Sequence, residues 1–213
     1  IMKKLILTTL SIILLPIAAY SAETRIGLTA ALSFFTSDGT EITKSSGERN
    51  SKEIEEDAIV PGIFIEREND NGFTFGFEYN PGEAKLGSGK GSDDDAETSG
   101  ANKASAEVSE HMQFYGLIPA GPGFARLGIV RASVDTTETL ATGTTYGNED
   151  VNGFVIGYGV QKSGEGSFVR LEGTYTMYDD LTFNGSLDGD SVRNKVDASV
   201  DATALRISVG KSF

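Results

Sequence analysis

The chain has no cysteine, no tryptophan and one histidine, His111, among 213 residues. Without cysteine there is no disulfide framework, so even in an oxidising compartment stability rests on the fold itself. With one histidine, any serine-based or zinc-based chemistry would have to pass through it. No Gly-x-Ser-x-Gly elbow, metal-spaced histidine pair or phosphate loop accompanies it. Positive charge is also scarce: 18 Lys and Arg stand against 31 Asp and Glu, a formal net charge of -13. Phosphate backbones demand a basic surface, so nucleic acid is excluded as a partner. Beyond residue 22 there is no long apolar run, which excludes a helical membrane protein.

The first 22 residues stand apart. Lys3 and Lys4 precede a stretch from Leu5 to Ala19 that is broken only by Thr8, Thr9, Ser11 and Pro16, and Ala19-Tyr20-Ser21-Ala22 follows. A short positive region, an apolar core and small residues are the three parts of a cleavable signal peptide. The apolar run falls short of the roughly 20 residues a spanning helix needs, which argues against an anchor. Residues 1–22 are therefore read as a signal peptide and residues 23–213 as one domain.

That domain alternates with period two. Ile26, Leu28, Ala30, Leu32 and Phe34 oppose Arg25, Gly27, Thr29, Ala31 and Ser33; Phe73, Phe75, Phe77 and Tyr79 oppose Thr74, Gly76 and Glu78. The end of the chain repeats the pattern, with Leu205, Ile207, Val209 and Phe213 opposite Arg206, Ser208 and Gly210. Such alternation predicts half-buried strands. Eight are expected, over 24–35, 57–67, 73–82, 106–118, 124–137, 150–162, 167–182 and 198–213. Between Val108 and Ile118 the even positions are apolar except Glu110. Val130 and Arg131 interrupt the alternation of the fifth strand and suggest a bulge there. Short turns (68–72, 120–123 and 163–166) follow the second, fourth and sixth strands, and long polar segments follow the others. Short turns at one end and long loops at the other, with an even strand number, are the arrangement of a transmembrane barrel.

A soluble sandwich or lipocalin would alternate too. Its dry core would then hold Arg25, Glu66, Glu78, Arg126, Arg170, Glu172 and Arg206, together with many glycines, at a high desolvation cost. Turned inside out, the pattern places apolar side chains in lipid and these seven charges in the lumen. The fold expected is all-β: a closed, antiparallel, eight-stranded, up-and-down transmembrane barrel. An eight-stranded barrel is just wide enough for its side chains to fill, so the charges should pair and plug it. Phe34, Phe73, Phe124, Tyr158 and Phe213 are candidates for aromatic girdles at the two interfaces.

The ending Leu205-Arg206-Ile207-Ser208-Val209-Gly210-Lys211-Ser212-Phe213 resembles the last strand of bacterial outer-membrane proteins. Lys211 departs from the tyrosine usual at that position. Taken with the signal peptide and strand number, the chain resembles the small OmpA/OmpX-type barrels. The resemblance implies an exported outer-membrane protein of a Gram-negative cell, with Phe213 as the assembly signal read by the barrel-assembly machinery. It also implies contact with outer-membrane lipid and lipopolysaccharide, and a monomer.

Three other features carry weaker chemistry. Asp93, Asp94, Asp95 and Glu97 cluster in the segment from Gly87 to Lys103, and Glu53, Glu55, Glu56 and Asp57 form a second acidic run. Clustered carboxylates can hold a hard divalent cation, but the spaced ligands of a calcium loop are missing, so solvated acidic loops are expected. His111 lies two residues from Ser109, which on a regular strand places both on one face. A lone lumenal histidine is ordinarily a hydrogen-bonded filler. No cofactor and no enzymatic activity are expected. The role expected is structural, with surface interaction through the outer loops; a narrow channel for small solutes and a lipid-A-modifying enzyme are the alternatives.

Overall fold

The computed structural model describes residues 23–42, 47–95, 98–140, 144–186 and 194–213. The segment read as a signal peptide lies outside them. The described residues form ten strands: β1 (Glu23–Ile42), β2 (Arg49–Glu68), β3 (Thr74–Asn80), β4 (Ala84–Asp95), β5 (Thr98–Ala120), β6 (Gly123–Thr139), β7 (Glu149–Gly164), β8 (Ser167–Tyr178), β9 (Leu181–Asn184) and β10 (Lys195–Ser212). Each pairs antiparallel with its neighbours, and β1 pairs with β10 from Arg25↔Ser212 to Ile42↔Lys195, which closes the ring. β3 and β4 both pair with β5, and β8 and β9 both pair with β10, so ten segments make eight staves. The eight-stranded closed barrel expected from the sequence is the fold observed.

Local chemistry explains the turns and the breaks. In the first short turn, Asn69 Oδ1 accepts hydrogen bonds from the backbone N–H groups of Asn71 and Phe73, at 3.1 and 2.9 Å. Gly72 takes a φ of +76° there, a conformation open to glycine and costly for other residues. The third stave breaks at Pro81-Gly82-Glu83, between β3 and β4. Pro61 on the facing part of β2 has no N–H to offer, and its carbonyl is met by the Asn80 side chain at 3.0 Å. Above this point no ladder joins β2 to β4 among the described residues; a Cβ added at Gly87 would sit 2.8 Å from Ile54 Cδ1.

Two expectations are corrected. The bulge lies in β5, between Ser109 and Met112, with Glu110 at φ 48°, and not in β6. β6 alternates without interruption, and Arg131 simply points outward and pairs with Asp150 at 2.6 Å. The staves also run well past their expected ends. The segments read as long polar loops are largely strand: Glu53 to Asp57 lie in β2 and Asp93 to Asp95 in β4.

The extra length has a pattern of its own. On the lower part of β10, Leu205, Ile207 and Val209 are about half exposed on the outside, while Arg206 and Ser208 are buried inside. Higher on the same strand the sense reverses: Asp197, Ser199 and Asp201 alternate with Val196, Ala198, Val200 and Ala202, of which Val200 and Ala202 are buried. β6 reverses likewise, from Leu127 and Ile129 outside with Arg126 inside, to Arg131, Ser133 and Asp135 outside with Val130, Ala132 and Val134 inside. The lower zone is patterned for lipid around it and the upper zone for water around it. Two outward-facing substitutions should separate the zones. Ile207→Arg, in the apolar belt, should lower unfolding stability in lipid vesicles by about 2–4 kcal/mol. Ser199→Arg should change it by less than about 0.5 kcal/mol, as surface changes do.

Candidate functional site in the lumen

Inward alternation brings the charged residues of six staves onto one axis. At the short-turn end Arg25 pairs with Glu68 and, at 3.4 Å, with Glu23, and its guanidinium lies over the Phe168 ring. One level up, Arg170 grips Glu66 through two hydrogen bonds of 2.6 and 2.8 Å. Gln161 Oε1 accepts from the same guanidinium at 2.9 and 3.1 Å. The rings of Phe64, Phe124 and Phe168 surround it at 5.1 to 5.7 Å. The Tyr115 hydroxyl donates to Glu66 at 2.6 Å, and Arg126 stacks on the Tyr115 ring at 3.7 Å.

Arg126 then carries the stack onward. It makes a two-pronged pair with Glu172 at 2.9 and 3.1 Å and donates to Gln113 at 2.5 Å. Arg206 donates to both oxygens of Glu78 at 2.5 Å, and the longer approaches Arg126–Glu78 (3.8 Å) and Arg206–Glu172 (3.9 Å) close a four-membered cluster. Three arginines and three glutamates thus balance, and none of Arg126, Arg170, Glu66, Glu78 and Glu172 is more than 2% exposed. Lumenal glycines leave room for the rings: a Cβ at Gly76 would lie 2.3 Å from Tyr115 Cζ, and one at Gly27 2.3 Å from Phe64 Cζ.

All seven charged residues singled out in the sequence lie in this lumen, but Arg25 belongs to a separate group at the short-turn end. Missing from the sequence list were Glu23, Glu68, Gln113, Tyr115 and Gln161. The inward parity of Glu68 and Gln161 was readable. That of Gln113 and Tyr115 was readable too, since the alternation over 108–118 puts the odd positions inside; the bulge inverts only the part of β5 before it, where Val108 turns inward. Phe124, expected in a girdle, is instead a lumenal residue under Arg170. Phe34, Tyr158 and Phe213 do face outward.

The bulge also separates Ser109 from His111. Ser109 pairs with Ser133 on the outer face and donates to Asp135 at 2.5 Å, whereas His111 Nδ1 shares a 2.9 Å hydrogen bond with lumenal Asn80. Asp93, Asp94 and Asp95 sit opposite Gly100, Ser99 and Thr98 in the β4–β5 ladder, and Glu97 lies outside the described residues.

Above the cluster the lumen turns apolar. Phe35, Leu86, Val134, Val151, Leu181, Phe183 and Val200 form one buried group there, around a cavity of about 440 Å³. The lumen is therefore filled in its lower half and hollow in its upper half.

No protein-family model matches the chain, and no curated protein sequence does. Solved structures do. The outer-membrane protein OprG of Pseudomonas aeruginosa aligns over 91% of this chain and 97% of its own, at 14% identity and a TM-score of 0.58. The outer-membrane protease OmpT of Escherichia coli aligns over 92% of this chain and 100% of its own, at 8% identity and a TM-score of 0.53. At these identities the likeness is one of fold: the chain has the architecture of outer-membrane β-barrels, the small OmpA/OmpX-like group included.

The stack makes a specific demand on stability. Glu172→Leu leaves Arg126 without its two-pronged partner and takes one carboxylate from beside Arg206. It should cost about 3–5 kcal/mol in urea unfolding from lipid vesicles. Arg126→Met combined with Glu172→Leu restores the charge balance and should recover a large part of that loss.

Proposed function

We propose that the protein is a sealed barrel of the outer membrane, whose role is structural and interactive rather than conductive. The single observation that carries this reading is the Arg126–Glu172–Arg206–Glu78 cluster, which spans the lumen with every carboxylate engaged. An ion entering would have to break pairs held in a low-dielectric interior, where separation of charge is expensive. With Tyr115, Phe64, Phe124 and Phe168 filling the level below, the lower lumen is a floor.

With the floor closed, what the protein offers its surroundings is the projecting upper zone. By the usual asymmetry of such barrels, short turns face the periplasm and the long strand extensions face outward. Their outer faces carry Glu53, Glu55, Asp57, Asp197 and Asp201. Acidic side chains of this density suit contact with cation-bridged lipopolysaccharide or with a basic partner. An enzymatic reading has little to rest on, since His111 and Ser109 lie on opposite faces of the wall.

Conductance tests the reading. Refolded protein in a planar bilayer should show no discrete current steps at moderate voltage. Steady small steps from the unaltered chain would replace the sealed barrel with a narrow channel.

A further inference from the structure

The sealed floor leaves the upper lumen as a cup, and the inference that follows rests on that reading. The reversed patterning of the upper zone gives the cup walls of the kind found inside soluble ligand-binding barrels: apolar within, polar without. Leu86 of β4, Val134 of β6, Leu181 and Phe183 of β9, and Val196 and Val200 of β10 line a volume of about 440 Å³. Ligand pockets of roughly 300–1,000 Å³ with mostly apolar walls are the ordinary size and character of small-molecule sites. A barrel that needed only a polar outer surface could have filled this space with larger side chains. Instead Ala104, Ala106, Ala198 and Gly89 keep it open.

The rim narrows the ligand class. Asp38, Glu41 and Glu138 stand there against one basic residue, Lys52. Tyr146 lies beside them, its backbone N–H donating to Glu138 Oε1 at 2.5 Å. Burial, and then the carboxylates of Glu41 and Glu138, push the Tyr146 phenol above its usual range, so it stays neutral. An anionic amphiphile such as a fatty acid would bring its carboxylate against this rim, and like charges brought together cost several kcal/mol. The cup also stands above the apolar belt, so the acyl chains of the surrounding bilayer do not reach it.

We propose that the upper lumen is a binding site for one small, uncharged, apolar molecule taken from the outside. The driving force is release of water from apolar walls, with the polar outer face of the same strands keeping the projection soluble. The walls are mostly apolar, with the Ser37 hydroxyl, which meets no partner among the described residues, as a single buried polar contact. Selection is therefore chiefly by size and charge.

The test uses the full barrel in lipid nanodiscs, titrated with the neutral fluorescent probe N-phenyl-1-naphthylamine. The expected result is a saturable signal of one molecule per barrel above that of empty nanodiscs. Dodecanol should displace the probe, and laurate should do so at least about tenfold less well. Ala106→Phe with Ala198→Phe fills the cup and should abolish the saturable part. The milder pair Ala106→Leu and Ala198→Leu should weaken it, and either pair is read only where the heat-modifiable band of a folded barrel persists. A signal equal to that of empty nanodiscs, or one that survives both pairs, overturns the site. Displacement by laurate as effective as by dodecanol overturns the uncharged class. Conductance without loss of binding would overturn the sealed floor alone, and absence of both would overturn the site alone.

Discussion

Three arginines and three glutamates facing one another across the lower lumen are the constraint on which the rest of the barrel depends. Ionised groups taken out of water cost several kcal/mol each unless they are paired in good geometry. Here Arg170 with Glu66 and Arg126 with Glu172 pair in the two-pronged manner of guanidinium and carboxylate, and Arg206 reaches both oxygens of Glu78. Removing a single partner leaves a buried charge exposed to nothing that answers it. The glycines around the stack are part of the same arrangement, because Tyr115 and Phe64 occupy the space that a side chain at Gly76 or Gly27 would take. A wall whose outer face must be apolar for lipid has only its inner face on which to place polar groups, and the stack is how they are accommodated.

The same wall serves two solvents. In the belt, lipid surrounds the staves and water is excluded by the stack. Above it, water surrounds them and the apolar side chains turn inward. Because successive side chains point to opposite faces, this switch needs no change of strand direction, only a change in which parity carries the apolar residues. On β10 the change falls between Ala202 and Leu205, and on β6 between Ile129 and Arg131. The wall therefore continues upward along β1, β2, β5, β6 and β10, with its ladder interrupted between β2 and β4 above Pro61, and its two halves have opposite interiors.

The belt and the lower lumen were legible in the residues. Period-two alternation marked the staves, and the charges on the small-residue face marked the interior. Strand ends were less legible, because a stave leaving the membrane changes its composition without changing its geometry. Acidic runs such as Glu53 to Asp57 read as loop when Glu53, Glu55 and Asp57 are the outer face of a strand whose other face carries Ile54, Glu56, Ala58 and Val60. The bulge at Glu110 was misplaced for a related reason: even positions stay apolar on both sides of it, Val108 facing the upper lumen and Met112 facing out beside Arg131, so the alternation carried no break to mark it. Gln113 and Tyr115 keep the inward parity that the alternation gave them, and went unnamed because neither carries a formal charge. Pairings such as Arg126 with Glu172 join residues far apart in the chain and depend on closure of the ring, which alternation alone does not encode.

The boundary between the two zones is the claim from which the sealed floor and the hollow cup both follow. Spin labels placed singly at 197, 199, 201, 203, 205, 207 and 209, in protein reconstituted into bilayers, would locate it directly by accessibility to oxygen and to a water-soluble nickel complex. Oxygen should dominate at 205, 207 and 209, and the nickel complex at 197, 199 and 201, with the crossover near 203. Oxygen dominance continuing up to 197 would contradict the account, because the acidic upper strand would then be embedded in lipid.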